Sequence, residues 1–245
     1  MRRPSGAVRI FLYNWPIYAA TWAAGLLALA LAAGRPALRL PAASLGAAAI
    51  AWSVVSLLVS FYVYDRSPLV GGGWLPALLP SPAAVWATVH AGLDAEIDLD
   101  AAMPGRCLAR LDVFDPAVMR SGSIGRARAR TPPLHASAAC PPTALALPEG
   151  GCDAVVVAFT AHEIRDAAAR ERFMDELRRA LRPGGRVVLV EHLRDAMNFL
   201  AFGPGFVHFL PRREWLRLAR QARLAVAVET RVTPWVRAFA LERAA

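Results

Sequence analysis

Residues 150–192 read GGCDAVVVAFTAHEIRDAAARERFMDELRRALRPGGRVVLVEH, and their periodicity changes twice. Ala154 to Phe159 is a valine-rich apolar run too short for a typical helix, which predicts a strand buried on both faces. From Ala167 to Leu181, Phe173, Leu177 and Leu181 recur four apart beside Met174, with charges elsewhere, the stripe of an amphipathic helix. Pro183, Gly184 and Gly185 stop that helix and allow a sharp reversal, after which Val187 to Val190 predicts a second buried strand. The unit of strand, helix and parallel strand puts His162 and Glu163 beyond the first strand and Glu191 and His192 at the end of the second. In an open parallel sheet, ligands bind beyond these carboxyl ends.

The two halves of this stretch, CDAVVVAFTAHEI and LRRALRPGGRVVLVEH, resemble the second half of a class I S-adenosylmethionine-dependent methyltransferase, over roughly residues 140–242. The helix-PGG-strand element is the most specific part. The resemblance implies a Rossmann-like α/β sheet, S-adenosyl-L-methionine as cofactor and methyl transfer to a nucleophilic acceptor.

The rest of the chain supplies an unusual setting for that domain. Of 245 residues, 56% are hydrophobic, high for a wholly soluble protein. The excess is local: Phe11 to Ala33 is 23 residues without a charge and Leu45 to Tyr64 another 20, each long enough to cross a hydrocarbon core of about 30 Å. Tyr13, Trp15 and Tyr18 open the first run and Phe61, Tyr62 and Tyr64 close the second, which suits aromatic anchoring at one membrane face. Gly34 to Ser44, with Pro36 and Pro41, is long enough only for a hairpin turn. Small residues (Ala20, Ala24, Gly25, Gly46, Ala49) would let the helices approach, and Asn14, Ser53, Ser56 and Ser60 could hydrogen-bond within the pair. A cleaved signal peptide is the alternative for the first run. Arg2, Arg3 and Arg9 precede the first run against Arg35 and Arg39 in the turn, a small excess that favours a cytoplasmic amino terminus, and two crossings would return the chain to that side of the inner membrane.

All 28 basic residues are arginine. Residues 1–66 hold six of them against one acid, Asp65, and the remainder 22 against 18 acids, an excess too small to indicate nucleic acid binding. Three cysteines without a CxxC pair suit a reducing compartment. The organisation expected is therefore a transmembrane hairpin over 1–66, an interfacial Pro/Gly-rich linker over 67–80 and a methyltransferase-like α/β domain over 81–245.

Within that domain Val85 to Ala91 predicts the first strand, Cys107 to Val113 the second, Leu134 to Ala139 a short third, Arg212 to Ala222 a helix, and Leu224 to Val232 and Trp235 to Leu241 a closing pair of strands. By the resemblance, His90 and Gly92 stand where a glycine-rich loop passes the cofactor's amino acid portion, Asp112 would accept from the ribose hydroxyls, and Phe159 would border the cofactor. Here the loop has one glycine, and Ala95 to Met103 is short for the helix that follows. Asp112 could equally serve as a turn residue before Asp115-Pro116. Arg126, Arg128 and Arg130, two apart, suggest an extended basic face, either a solvated loop or a contact for anionic headgroups. Asp195 to Leu210, aromatic around Gly203-Pro204-Gly205, predicts a loop or broken helix on the acceptor side.

His162 and His192, with Glu163, are the candidate acid-base residues, and no spacing diagnostic of a metal site occurs. The function expected is a membrane-anchored methyltransferase acting on a lipid-like or quinone-like acceptor. The alternative is a membrane-tethered binding or scaffolding protein that keeps the fold without catalysis.

Overall fold

The computed structural model describes residues 5–80, 85–92, 97–103, 105–130 and 137–244. Two long apolar helices come first, α1 (Gly6–Gly34) and α2 (Arg39–Phe61), packed as a hairpin. The turn is shorter than Gly34 to Ser44, because Pro36 starts a one-turn 3₁₀ segment and Pro41 falls in the first turn of α2, where a missing N–H costs nothing. A π-type turn, Tyr62–Arg66, continues α2 and brings Asp65 back to the start of α1, where its carboxylate accepts from the Gly6 and Ala7 amides at 2.8 and 3.4 Å. The hairpin ends therefore lie together. Across the pair, the Tyr18 and Ser56 hydroxyls are 2.9 Å apart, and outward-facing Leu26, Leu27, Leu40, Leu45, Val54 and Leu58 are exposed.

Close approach depends on Gly46. A Cβ there would lie 2.8 Å from the Gly25 carbonyl oxygen and 2.7 Å from Leu29 Cγ, whereas one at Gly34 would meet nothing within 4 Å. Gly46→Ala is expected to lower stability by about 1–3 kcal/mol and Gly34→Ala to leave it unchanged, as read by thermal unfolding in detergent.

Beyond the hairpin come α3 (Pro68–Gly71), β1 (Val85–His90), α4 (Leu99–Ala102), β2 (Arg106–Asp112), α5 (Gly122–Arg130), β3 (Ala138–Ala139), β4 (Cys152–Ala158), α6 (Ala167–Ala180), β5 (Leu181–His192), α7 (Ala196–Phe202), α8 (Arg212–Gln221), β6 (Leu224–Thr233) and β7 (Val236–Arg243). Among the described residues seven strands are ordered β3-β2-β1-β4-β5-β7-β6, and all run parallel except β7, which is antiparallel to both β5 and β6. The predicted strand-helix-strand unit is β4-α6-β5, with Val155 on Val187 and Val157 on Leu189, as expected for strands buried on both faces. Of the third predicted strand, 134–136 lie outside the described residues.

In the segment expected as an interfacial linker, 67–80, Leu69, Leu75 and Leu78 are fully buried in one cluster with Trp86, Val156, Val188 and Ala240, on a sheet face beside the single turn of α4. One sequence expectation changes here. Residues 122–130 are helical rather than extended, because Ile124 and Ala127, three apart, form a buried stripe. That turns Arg126 and Arg128 inward to specific partners instead of along one basic face.

Candidate active site

The tips of β4 and β5 meet the hairpin around a cavity of about 930 Å³. Its walls include Tyr13, Tyr18 and Trp52 of the hairpin, Phe159 and His162 beyond β4, His192 of β5, and Phe202 and Phe209 from the broken helix after β5. That segment, expected as a loop or broken helix, is α7 followed by a 3₁₀ turn, Gly203–His208, which packs on α2: a Cβ on Gly203 would lie 2.8 Å from the Trp52 ring.

The two predicted histidines lie at neighbouring strand tips but hold different protons. His162 is buried between carboxylates: its Nδ1 is 2.6 Å from Glu191 Oε2 and its Nε2 3.6 Å from Glu163 Oε1. Burial alone would push its pKa down, but Glu191 and Glu163 together raise it well above the ordinary value, so it is an imidazolium. A cation held in this way is a poor base. His192 Nδ1 faces two acceptors, Asn198 Oδ1 and the Trp235 carbonyl, each at 3.0 Å, so this nitrogen carries the proton. Its Nε2 accepts from the Tyr64 hydroxyl at 2.7 Å. Burial, then the neighbouring His162 charge, pushes His192 down to about 4, leaving it neutral at physiological pH. Of the two, His192 is the neutral ring with an accepting nitrogen. Tyr64, read from the sequence only as an aromatic anchor, reaches it from the end of the hairpin.

Glu163 is buried and accepts from Ser121 Oγ at 2.7 Å and His208 Nε2 at 3.1 Å. Burial would raise its carboxyl, but bonds from His162 and His208 hold it below the usual carboxylate range. His162, Glu163 and His208 bring their ligand atoms within 4.8 Å of one another, close enough to hold a cation. The hydrogen bonds argue otherwise. Arg165 Nη2 donates to His208 Nδ1 at 3.0 Å, so the His208 proton sits on Nε2 and points at Glu163, where a metal would need a lone pair.

These shifts fix a stability profile. The raised His162 contributes stability that is complete below its unfolded value near 6.5 and lost as pH rises towards its folded value. The depressed His192 contributes the reverse: stability falls between about pH 6.5 and 4, by about 3 kcal/mol over that interval. Urea midpoints should therefore fall on both sides of neutrality, and His162→Asn should flatten the alkaline side.

The predicted cofactor residues cluster at the other edge of the β1 tip. His90 is fully buried and pairs with Asp112 in the β1-β2 register; its Nε2 lies 2.9 Å from Ser137 Oγ and its Nδ1 has no hydrogen-bond partner among the described residues. Gly92 has φ +85°, a conformation that side chains disfavour. Residues 93–96 lie outside the described residues. Asp112, at the β2 tip, borders a shallow recess of about 290 Å³ with Phe114, Asp115, Ala139, Cys140 and Pro141. An acceptor carboxylate, a glycine where a ligand can approach, a buried unpaired imidazole nitrogen and a recess beside an aromatic ring fit the ribose and purine of S-adenosylmethionine. Arg128, which nothing in the sequence tied to this place, lies among them. Phe159, the fourth candidate, is on the other side, with φ +50° and its ring 5.3 Å from His192.

Residues 110–189 match the family described as methyltransferase domain. No curated protein sequence is significantly similar to the chain. Among solved structures, a SAM-dependent methyltransferase from Aquifex aeolicus superposes with TM-score 0.52 at 15% identity, over 78% of this chain and 97% of that one. A type 11 methyltransferase described as putative, from Sulfolobus solfataricus, gives 0.50 at 14%, over 70% and 90%. The pyocyanin biosynthetic protein PhzM gives 0.52 at 20%, over 77% of this chain and 58% of PhzM.

Proposed function

We propose that this chain, whose residues 110–189 belong to the methyltransferase domain family and whose sheet has the class I S-adenosylmethionine-dependent methyltransferase fold, methylates a hydrophobic, lipid-like or quinone-like acceptor at a membrane surface. The observation that carries the acceptor class is the cavity of about 930 Å³ walled jointly by the apolar hairpin and the β4 and β5 tips. Thr21 and Leu45 line it at hairpin depth and His192 at the sheet. From Tyr13 to Thr21 a helix rises about 12 Å, room for an apolar tail beside a head at the sheet.

The hairpin, with its exposed leucines and valines, anchors the domain in the bilayer, and Arg2, Arg3 and Arg9, ahead of the uncharged run from Phe11, favour the cytoplasmic side of the inner membrane. S-adenosylmethionine, when bound, supplies an electrophilic methyl group; Asp112 would accept from its ribose, His90 and Gly92 would pass its amino acid portion and Phe159 would border its reactive end. The chain's remaining task is to orient the acceptor and take its proton. A hydroxyl or phenol placed against Tyr64 passes its proton through the Tyr64 hydroxyl to His192 Nε2, while Asn198 and the Trp235 carbonyl fix the ring. The imidazolium of His162 faces Glu191 on one ring nitrogen and Glu163 on the other, so its charge is spent on holding the turn after β4 against β5.

Incubation of the detergent-purified chain with methyl-labelled S-adenosylmethionine and a total membrane lipid extract tests this. Label in the organic phase supports it; label only on protein or water-soluble products, or none, sinks the acceptor class. One contact favours the scaffolding alternative: Arg128 already occupies Asp112.

A further inference from the structure

We propose that Arg128 is a built-in competitor for the adenosine subsite, and that α5 ties its release to the occupancy of the acceptor cavity. This rests on the cofactor reading above. Arg128 Nη1 donates to Asp112 Oδ2 at 2.6 Å, and its guanidinium carbon lies 4.9 Å from the centre of the Phe114 ring. A Cβ on Gly92 would be 3.1 Å from the same Nη1. A planar group that donates to the Asp112 carboxylate and lies over the adjacent aromatic ring makes the contacts a nucleoside would make there, and it also fills the space above Gly92. The pair is mostly shielded, at 21% and 8% side-chain exposure, so Arg128 and a ribose cannot share Asp112 without rearrangement.

The same nine-residue helix reaches the acceptor side. Just before its first residue, Ser121 Oγ donates to Glu163, and Arg126 Nε donates to the Tyr13 carbonyl of α1 at 2.5 Å. Ser121, Ser123, Ile124 and Arg126 wall the large cavity, while Arg128, two residues on, holds Asp112. A displacement of α5 by an occupant of the cavity would draw Arg128 off Asp112 and open the subsite. A closed form in excess lowers the apparent affinity by the fraction of open form.

Calorimetric titration of the full chain in detergent with S-adenosylmethionine tests this. Arg128→Ala is expected to bind about tenfold more tightly than the wild type, Arg128→Gln likewise, and Arg128→Lys in between, since an ammonium can pair but not stack. Because the competitor is ionic, raising salt should tighten binding to the wild type and leave Arg128→Ala unchanged; a merely structural arginine would give no such difference. Adding Asp112→Asn to Arg128→Ala should abolish the gain. Equal or weaker binding by both the Ala and Gln variants, with wild-type binding intact, overturns the competitor alone. Saturable heat from none of the chains at millimolar cofactor overturns the cofactor reading and the competitor with it.

Discussion

Replacing Glu191 by alanine is expected to destabilise the protein by about 3–5 kcal/mol, the cost of leaving a buried charge without its partner. Glu191 is fully buried at the end of β5, and it accepts from the His162 ring at 2.6 Å and from the His162 amide at 3.3 Å. Two bonds to one residue make it the fixture that holds the turn after β4 against β5. Without it, His162 keeps only Glu163, at 3.6 Å and already shared with His208 and Ser121, and burial then drives the imidazole towards its neutral form. Chemical denaturation of Glu191→Ala and of Glu191→Leu combined with His162→Leu separates charge from packing. An apolar pair of similar size should recover much of the loss, since both desolvated charges disappear together. If the double variant is as unstable as the sum of the single ones, the ion pair is not what Glu191 contributes.

The difference between legible and hidden features follows from range. Strands β4 and β5 and helix α6 were readable because each answers to one periodicity, but the PGG segment, expected as the turn that stops the helix, lies inside β5: α6 ends at Ala180, the β4-β5 register shifts between Cys152 and Ala154, and Gly184 takes φ +75° there. The hairpin was readable for the same reason, down to Gly25 and Gly46. What the sequence concealed are partnerships between segments far apart along the chain. Arg126, Arg128 and Arg130 look like an alternating basic face until Ile124 and Ala127 find the core, and no local rule pairs Arg128 with Asp112. Residues 67–80 read as a linker because prolines and glycines mark turns; the sheet face their leucines share with α4 is built from distant strands. The same holds within the candidate site. His162 and His192 have one chemistry in the sequence, and only the carboxylates around the one and the carbonyls around the other make the first a cation and the second a neutral ring with its accepting nitrogen towards Tyr64.

That division of roles sets the largest expected effect on activity. His192→Phe keeps a ring of similar size at the end of β5 but removes the nitrogen facing Tyr64, and should lower the rate of methyl transfer by about 10²–10⁴ while leaving S-adenosylmethionine affinity unchanged. Tyr64→Phe should share most of that loss if the proton passes through its hydroxyl, because the buried His192, 2% exposed, meets the cavity across the Tyr64 contact. The pH dependence gives an independent check. The working form of His192 is neutral, so the rate should hold from neutrality downwards and fall as pH drops through about 4, short of which the stability loss already described must be corrected for. A base of ordinary histidine pKa would instead lose activity near 6.5. His162→Asn removes the nearest positive charge and should move the His192 midpoint upward, towards that ordinary value, with the rate loss on acidification beginning at higher pH. Full activity in His192→Phe would remove His192 from the reaction, and an unshifted acid limb in His162→Asn would show that burial alone sets the proton affinity of His192.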